Sequence, residues 1–329
     1  MITHVAEAVE ARGRVVLRLT PGAGGGQGTL AVIDAAVRLA QAYRAEIESL
    51  YIEDVELLRL ASFSFAAEIP ALGHHRGSRP YSYGGTLGRG GWRPLCVAEL
   101  ERDMRLQVSG LHRLVEQRAT QAHVPVRLRV MRVDGLTAVA STCADCGPWN
   151  VVVLSEALAS LAGDDLALLF EGVPDATGLM VVGHAPHGQS PKLTEQPVVL
   201  ALEQAAALPA MLHTAERLVD STDTPIAVVL VASDLAAADD GPDMGQKLES
   251  QVRLLLSERP PVMRADGTPV VVQLVSLTGT HGQLAVIAEA LRRLAPGFLI
   301  ARFGGLIVPP QGSLRLLGTT LSCPLLLIR

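Results

Sequence analysis

Short apolar runs recur along the chain with helical patterns between them. They are "RVVLRL" (Arg14–Leu19), "VVVLSE", "GLMVVGH", "PVVLAL", "PIAVVLVA", "PVVVQLVSL", "GFLIARFGG" and "CPLLLIR". Runs this short, rich in Val and Leu and not alternating with polar residues, predict strands of a parallel sheet covered on both faces. A first helix is predicted from Thr29 to about Arg44, where Leu30, Ile33, Val37 and Ala40 recur at helical spacing; Asp34 and Arg38 lie on its wetter side. A second runs from about Val97 to Gln121, with Leu100, Met104, Leu111 and Leu114 as its expected buried face. Shorter helices follow from Leu136 to about Cys143, from about Gln246 to Glu258, and over "GQLAVIAEALRRL".

The segment "APHGQSPKLTEQP" (Ala185–Pro197) breaks this rhythm and reads as a linker, after which the pattern restarts: "PVVLALE" matches "RVVLRLT" in type and place. Each half alternates strands with helices. The expected fold class is therefore α/β, with two doubly wound, mostly parallel-sheet domains. The first should cover residues 1–190, with a Gly-rich insertion at 73–94; the second, shorter one should cover 191–329. A length of 329 residues suits two domains.

Composition narrows the function classes. Apolar residues make up 49% and charged residues 19%, yet no run reaches the length of a membrane-spanning helix. A net charge of −5 argues against a general nucleic-acid binder. The opening "MITHVAEAVEARGR" lacks the apolar core of a secretory signal, and four cysteines do not make a disulfide scaffold. A cytoplasmic location is expected.

The stretch "QGSLRLLGTTLSCPLLLIR" (Gln311–Arg329) resembles the C-terminal end of universal stress protein domains, where a Gly-Ser pair starts a helix and a Cys-Pro-apolar strand closes the sheet. The order of strands and helices in both halves fits, so the chain resembles a tandem universal stress protein, of the adenine nucleotide alpha hydrolase-like type, over nearly its whole length. The resemblance implies ATP or AMP as ligand, held by a loop of Gly, two residues, Gly, nine residues, then Gly-Ser or Gly-Thr. In the second half the matching positions are Gly304 or Gly305 and Gly312-Ser313, with Glu203 in place of the acid that ends the first strand. The spacing before Gly312 is several residues short, and "LIVPPQ" fills the gap with two prolines that have no N–H to offer a phosphate. In the first half Thr20 replaces the acid, and "VVVLSEALASLAGDD" lacks the glycines. The nucleotide loops are degenerate in both halves.

Other stretches carry weaker signals. "PGAGGGQGT" (Pro21–Thr29) joins a strand to a helix, so Gly24, Gly26 and Gly28 could offer N–H groups to an anion, although the Lys of a P-loop is missing. "GHHRGSRPYSYGGTLGRGGWRP" (Gly73–Pro94) gathers His74, His75, Arg76, Arg79, Arg89 and Arg93 with Tyr81, Tyr83 and Trp92 and no acid. It reads either as an irregular insertion or as a cover for an anionic ligand or a partner. Cys143 and Cys146 are spaced as C-x-x-C but lie near the wrong end of a helix for thiol activation, and Cys96 and Cys323 are single. His184 and His187 follow the strand "GLMVVGH" at three-residue spacing with Lys192 nearby, but the segment reads as a linker with no carboxylate before Glu195; Asp234, Asp239, Asp240 and Asp243 read as a solvated loop. Ser155 lacks a nucleophile-elbow sequence. No catalytic or metal-binding set emerges.

The expected function is a non-enzymatic stress-type regulatory module that binds a ligand or partner. Two alternatives stand beside it: an ATP- or AMP-binding protein with slow ATPase activity, and a structural subunit of a larger assembly. Expected partners are an adenine nucleotide or another anionic small molecule, with no nucleic acid and no membrane. The two domains should pair as a pseudo-dimer through sheet-edge strands, with further homo-oligomers of the chain.

Overall fold

The computed structural model describes residues 13–19, 27–53, 55–63, 67–68, 93–94, 96–144, 149–156, 160–182, 196–219, 224–231, 244–264, 266–277, 284–312 and 314–329. The strands are β1 (Arg14–Leu19), β2 (Glu46–Ile52), β3 (Ala67–Glu68), β4 (Arg93–Pro94), β5 (Val126–Met131), β6 (Asn150–Leu154) and β7 (Gly178–Val182) in the first half. In the second they are β8 (Val198–Leu202), β9 (Ile226–Val231), β10 (Val272–Leu277), β11 (Phe298–Arg302) and β12 (Pro324–Ile328). The helices are α1 (Gln27–Ala42), α2 (Val55–Ala61), α3 (Val97–Gln121), α4 (Gly135–Ala144), α5 (Gly163–Gly172), α6 (Leu208–Val219), α7 (Met244–Glu258), α8 (Leu284–Arg293) and α9 (Arg315–Thr320).

Ten strands form one sheet in the order β10-β9-β8-β11-β12-β7-β6-β1-β2-β5. Each half contributes five strands, ordered third, second, first, fourth, fifth of its own sequence. Pairing is parallel within each half and antiparallel where β12 meets β7. The sequence predicts two doubly wound layers, and these fuse edge to edge into a single sheet.

Side-chain chemistry explains which strands lie inside. β6, β7, β8 and β9 are uninterrupted apolar runs apart from Asn150 and Gly178, and every residue in them is buried. A strand with helices on both faces leaves no side for a polar residue. The outermost strands β5 (VRLRVM) and β10 (VQLVSL) interleave polar residues and are partly exposed. Arg14, Arg129 and the buried Glu48 pair across β1, β2 and β5, with Nη1–Oε2 2.6 Å and Nε–Oε1 2.5 Å. That pairing offsets the desolvation of a carboxylate inside the sheet layer.

Helices α1, α3, α6 and α7 cover one face, and α4, α5, α8 and α9 cover the other. Each cover is one continuous apolar cluster spanning both halves. The buried stripe of α3 is Met104, Val108, Leu111, Val115 and Ala119, so Leu100 and Leu114 fall at its margin rather than its centre. The helix is rotated from the expected face because it packs on α1 as well as on the sheet. The wetter side of α1 is also used: Asp34 pairs with Arg118 of α3 at 3.6 Å, and Arg38 donates to the Leu218 carbonyl of α6. Burial pushes the Asp34 carboxyl up and the Arg38 guanidinium down, each away from its charged form.

The seam between the halves is built from the stretch that carries the resemblance. Leu325, Leu326 and Leu327 are no more than 1% exposed and pair with Val181, Met180 and Leu179. Only glycine fits at 178, because a Cβ there would lie 2.8 Å from the Leu327 carbonyl oxygen. Arg329 then crosses to the first half and donates to the Phe170 and Val173 carbonyls at 2.5 and 2.8 Å. Carbonyls at the end of α5 lack partners within the helix, and the negative end of its dipole favours a cation there. On the other face Tyr43 at the end of α1 donates to the Thr214 carbonyl of α6 at 3.2 Å and stacks on Trp149 at 4.0 Å.

Candidate functional site

In a doubly wound sheet a crevice opens where the chain reverses direction, beyond the carboxyl ends of the first and fourth strands. In the second half these strands are β8 and β11, which are parallel neighbours. Glu203 leaves the end of β8, and the turn Phe303–Gly312 leaves the end of β11. Gly304 has φ +85°, the left-handed region, and its N–H bonds the Val308 carbonyl at 2.9 Å. That conformation turns the next amides inward as a small anion-binding nest.

The nest holds the protein's own carboxylate. Glu203 accepts N–H bonds from Leu306 (Oε2, 2.8 Å) and Ile307 (Oε1, 3.1 Å). At Gly305 a Cβ would overlap that carboxylate, so a larger residue there would have to push the Glu203 side chain aside. Glu203, Gly304 and Gly305 therefore lie together beyond the ends of β8 and β11. Gly312 takes a different role: its φ is +101°, and its carbonyl accepts the Gly163 N–H from the first half at 2.8 Å. A Cβ at Gly163 would lie 2.5 Å from the Pro309 carbonyl oxygen. Ile307, Val308 and Leu314 are fully buried in the apolar cluster that spans both halves on that face. The turn thus works as a strut between the halves. Ser313 lies outside the described residues.

At the same place in the first half the strand ends carry an ion pair. Arg18 of β1 meets Glu156, just beyond β6, at 3.1 Å. Farther out Arg132 is bonded to Glu53 and reaches Glu101 at 3.3 Å. Gly28 lies in the first turn of α1, where a Cβ would meet nothing within 4 Å among the described residues; Thr20, Gly24 and Gly26 lie outside them.

Of the insertion 73–94, Arg93 and Pro94 are described; they pair as β4 with Ala67 and Glu68 of β3. Cys143 and Cys323 are buried and Cys96 is exposed. Burial pushes the Cys323 thiol up to about 12, which keeps it protonated and unreactive. Cys146, His184, His187, Lys192, Glu195, Asp234, Asp239, Asp240 and Asp243 lie outside the described residues. Ser155 directly follows β6 beside Glu156. Among the described residues no group of three or more His, Cys, Asp or Glu is placed to hold a metal ion, and no helix is long and apolar enough to cross a membrane.

Sequence reasoning missed the donors that Glu203 binds, because backbone amides leave no trace in residue identity. It also missed a cleft lined by Tyr43, Trp149, Arg217 and Arg329. A signal for part of it exists: Ala210, His213, Thr214 and Arg217 recur at i, i+3, i+4 and i+7, a strip on α6 that turns away from its buried face.

Two five-stranded parallel layers of this strand order, each with helices on both sides, define a doubly wound α/β protein with an internal repeat. No family model matches the chain, and no curated protein matches it. Solved structures do. A universal stress protein from Archaeoglobus fulgidus DSM 4304 is 13% identical with a TM-score of 0.51, covering 96% of this chain and 96% of that one. A protein of unknown function from Pseudomonas aeruginosa PAO1 is 11% identical with a TM-score of 0.50, covering 97% of this chain and 92% of its own. The chain has the universal stress protein fold along nearly its whole length.

Proposed function

We propose that the protein is a non-enzymatic regulatory module of the universal stress type, acting in the cytoplasm by binding a ligand or partner. In this reading the nucleotide loop of its second half has become an internal strut. One observation carries it: the amides of Leu306 and Ile307 already bond the Glu203 carboxylate. A triphosphate entering the nest would have to displace a bound anion and would meet its negative charge at close range. Pro309 and Pro310 add no donors, and the Gly312 end of the turn is engaged with Gly163. The β7–β12 seam then plays the part of a dimer contact within one chain.

The test is a thermal-shift titration of the intact protein with ATP and with AMP, each with and without magnesium. No saturable stabilisation that depends on this turn is expected. Saturable stabilisation by either nucleotide that Gly312→Asp removes would overturn the reading and make the protein a nucleotide binder.

A further inference from the structure

A cleft of about 470 Å³ opens at the seam, on the face opposite the Glu203 turn. That volume lies within the roughly 300–1,000 Å³ of small-molecule sites. Its floor is aliphatic, formed by Val151, Leu326 and Ile328. Gly178 deepens it, since a Cβ there would project between Leu326 and Val151, at 3.6 and 3.8 Å. Ala210 and Ala176 keep the walls low. The rim is basic: His213 and Arg217 on α6 are exposed, and Arg329 also lines it while donating to the Phe170 and Val173 carbonyls. No carboxylate side chain lines the cleft among the described residues. Nearby Glu216 is paired with Arg259 at 2.6 Å, while Asp175 stands on the turn before Ala176, outside the lining.

The geometry points to a binding site for a medium-chain alkyl carboxylate, with the chain on the aliphatic floor and the carboxylate at Arg217 and His213. Charge complementarity selects the head group. The body is selected by what the walls still offer. The Tyr43 ring is already stacked on Trp149, and Arg217 sits 5.1 Å from its centroid, so an aromatic ligand finds that ring occupied. Burial pushes the Tyr43 phenol up to about 12, so the wall stays uncharged. The site uses both halves at once: its floor comes from β6, β7 and β12 and its basic side from α6. Occupancy would therefore brace the seam. This inference is independent of the Glu203 turn, because Glu203→Ala leaves every lining residue in place.

The experiment uses decanoate as the probe, below its aggregation concentration, on the full chain. Trp149 is one of two tryptophans, so Trp92→Phe isolates its emission. Decanoate is expected to change Trp149 emission saturably and to raise the melting temperature. Arg217→Gln, which removes the charge, and Ala210→Phe, which fills the cleft from an exposed helix position without adding a second emitting tryptophan, should each weaken binding at least tenfold. Decylamine should give no saturable change, and decanol should bind at least tenfold more weakly than decanoate. Absence of a saturable response, equal responses from both folded variants, or decanol matching decanoate would each overturn the proposal.

Discussion

Replacing Glu203 with Ala tests the strut directly. The carboxylate bonds two backbone amides at 2.8 and 3.1 Å. Hydrogen bonds to a charged group contribute about 1.5–3 kcal/mol each, and a buried amide left unpaired costs about 1–3 kcal/mol. Glu203 is only partly buried, so water can reach part of the vacated nest. The net loss should therefore fall near the lower end of the sum, at about 2–4 kcal/mol. For 329 residues unfolding together, the entropy of unfolding is about 0.7 kcal/mol/K, so the melting temperature should fall by roughly 3–6 °C. Glu203→Gln keeps one acceptor oxygen and the side-chain shape, and should lose about half as much. The assay is urea and thermal unfolding of the three proteins at pH 7, with and without millimolar inorganic phosphate. Phosphate should recover part of the loss in the Ala variant and leave the wild type unchanged. An Ala variant within about 0.5 kcal/mol of wild type, the range of an ordinary surface change, would refute the strut. Equal stabilisation of wild type and variant by phosphate would refute the claim that the carboxylate fills an anion nest.

Two further outcomes follow from the packing. Cys323 and Tyr43 keep their protons up to about 12 when folded, against ordinary values of 9.0 and 10.0. Their contribution is complete below the unfolded values and is lost as pH rises toward 12, with a slope of at most about 1.4 kcal/mol per pH unit for each group. Urea midpoints measured from pH 8 to 11 should fall, and Cys323→Ala should flatten the part between 9 and 10; an unchanged slope would count against this. Gly163→Val would drive a branched side chain into the Pro309 and Pro310 backbone, where even a Cβ sits at 2.5 Å. It should cost about 1–3 kcal/mol or more, and a wild-type urea midpoint would refute the docking of the turn on α5.

Much of the fold was legible in the chain. The uninterrupted apolar runs of β6 to β9 and β12 mark strands with cover on both faces, because water can reach neither side. The internal repetition gives the parallel halves, and the resemblance singles out Glu203, Gly304 and Gly305, which lie together beyond β8 and β11. Residue identity also set limits on that crevice, since proline offers no N–H.

Tertiary structure decided the rest. Whether the final apolar strand closed its own layer or joined two layers depended on the partner available to its free edge. β7 supplies that partner, antiparallel, with a glycine where a side chain would strike the Leu327 carbonyl. Whether the glycine turn received an anion from solution or from the chain depended on the reach of Glu203 from a neighbouring strand, a distance absent from sequence spacing. The cleft of Tyr43, Trp149, Gly178 and Arg217 joins residues from distant parts of the chain. Local periodicity encodes which face of each element is buried; the meeting of those faces, and the gap left between them, exists only once the two halves share one sheet.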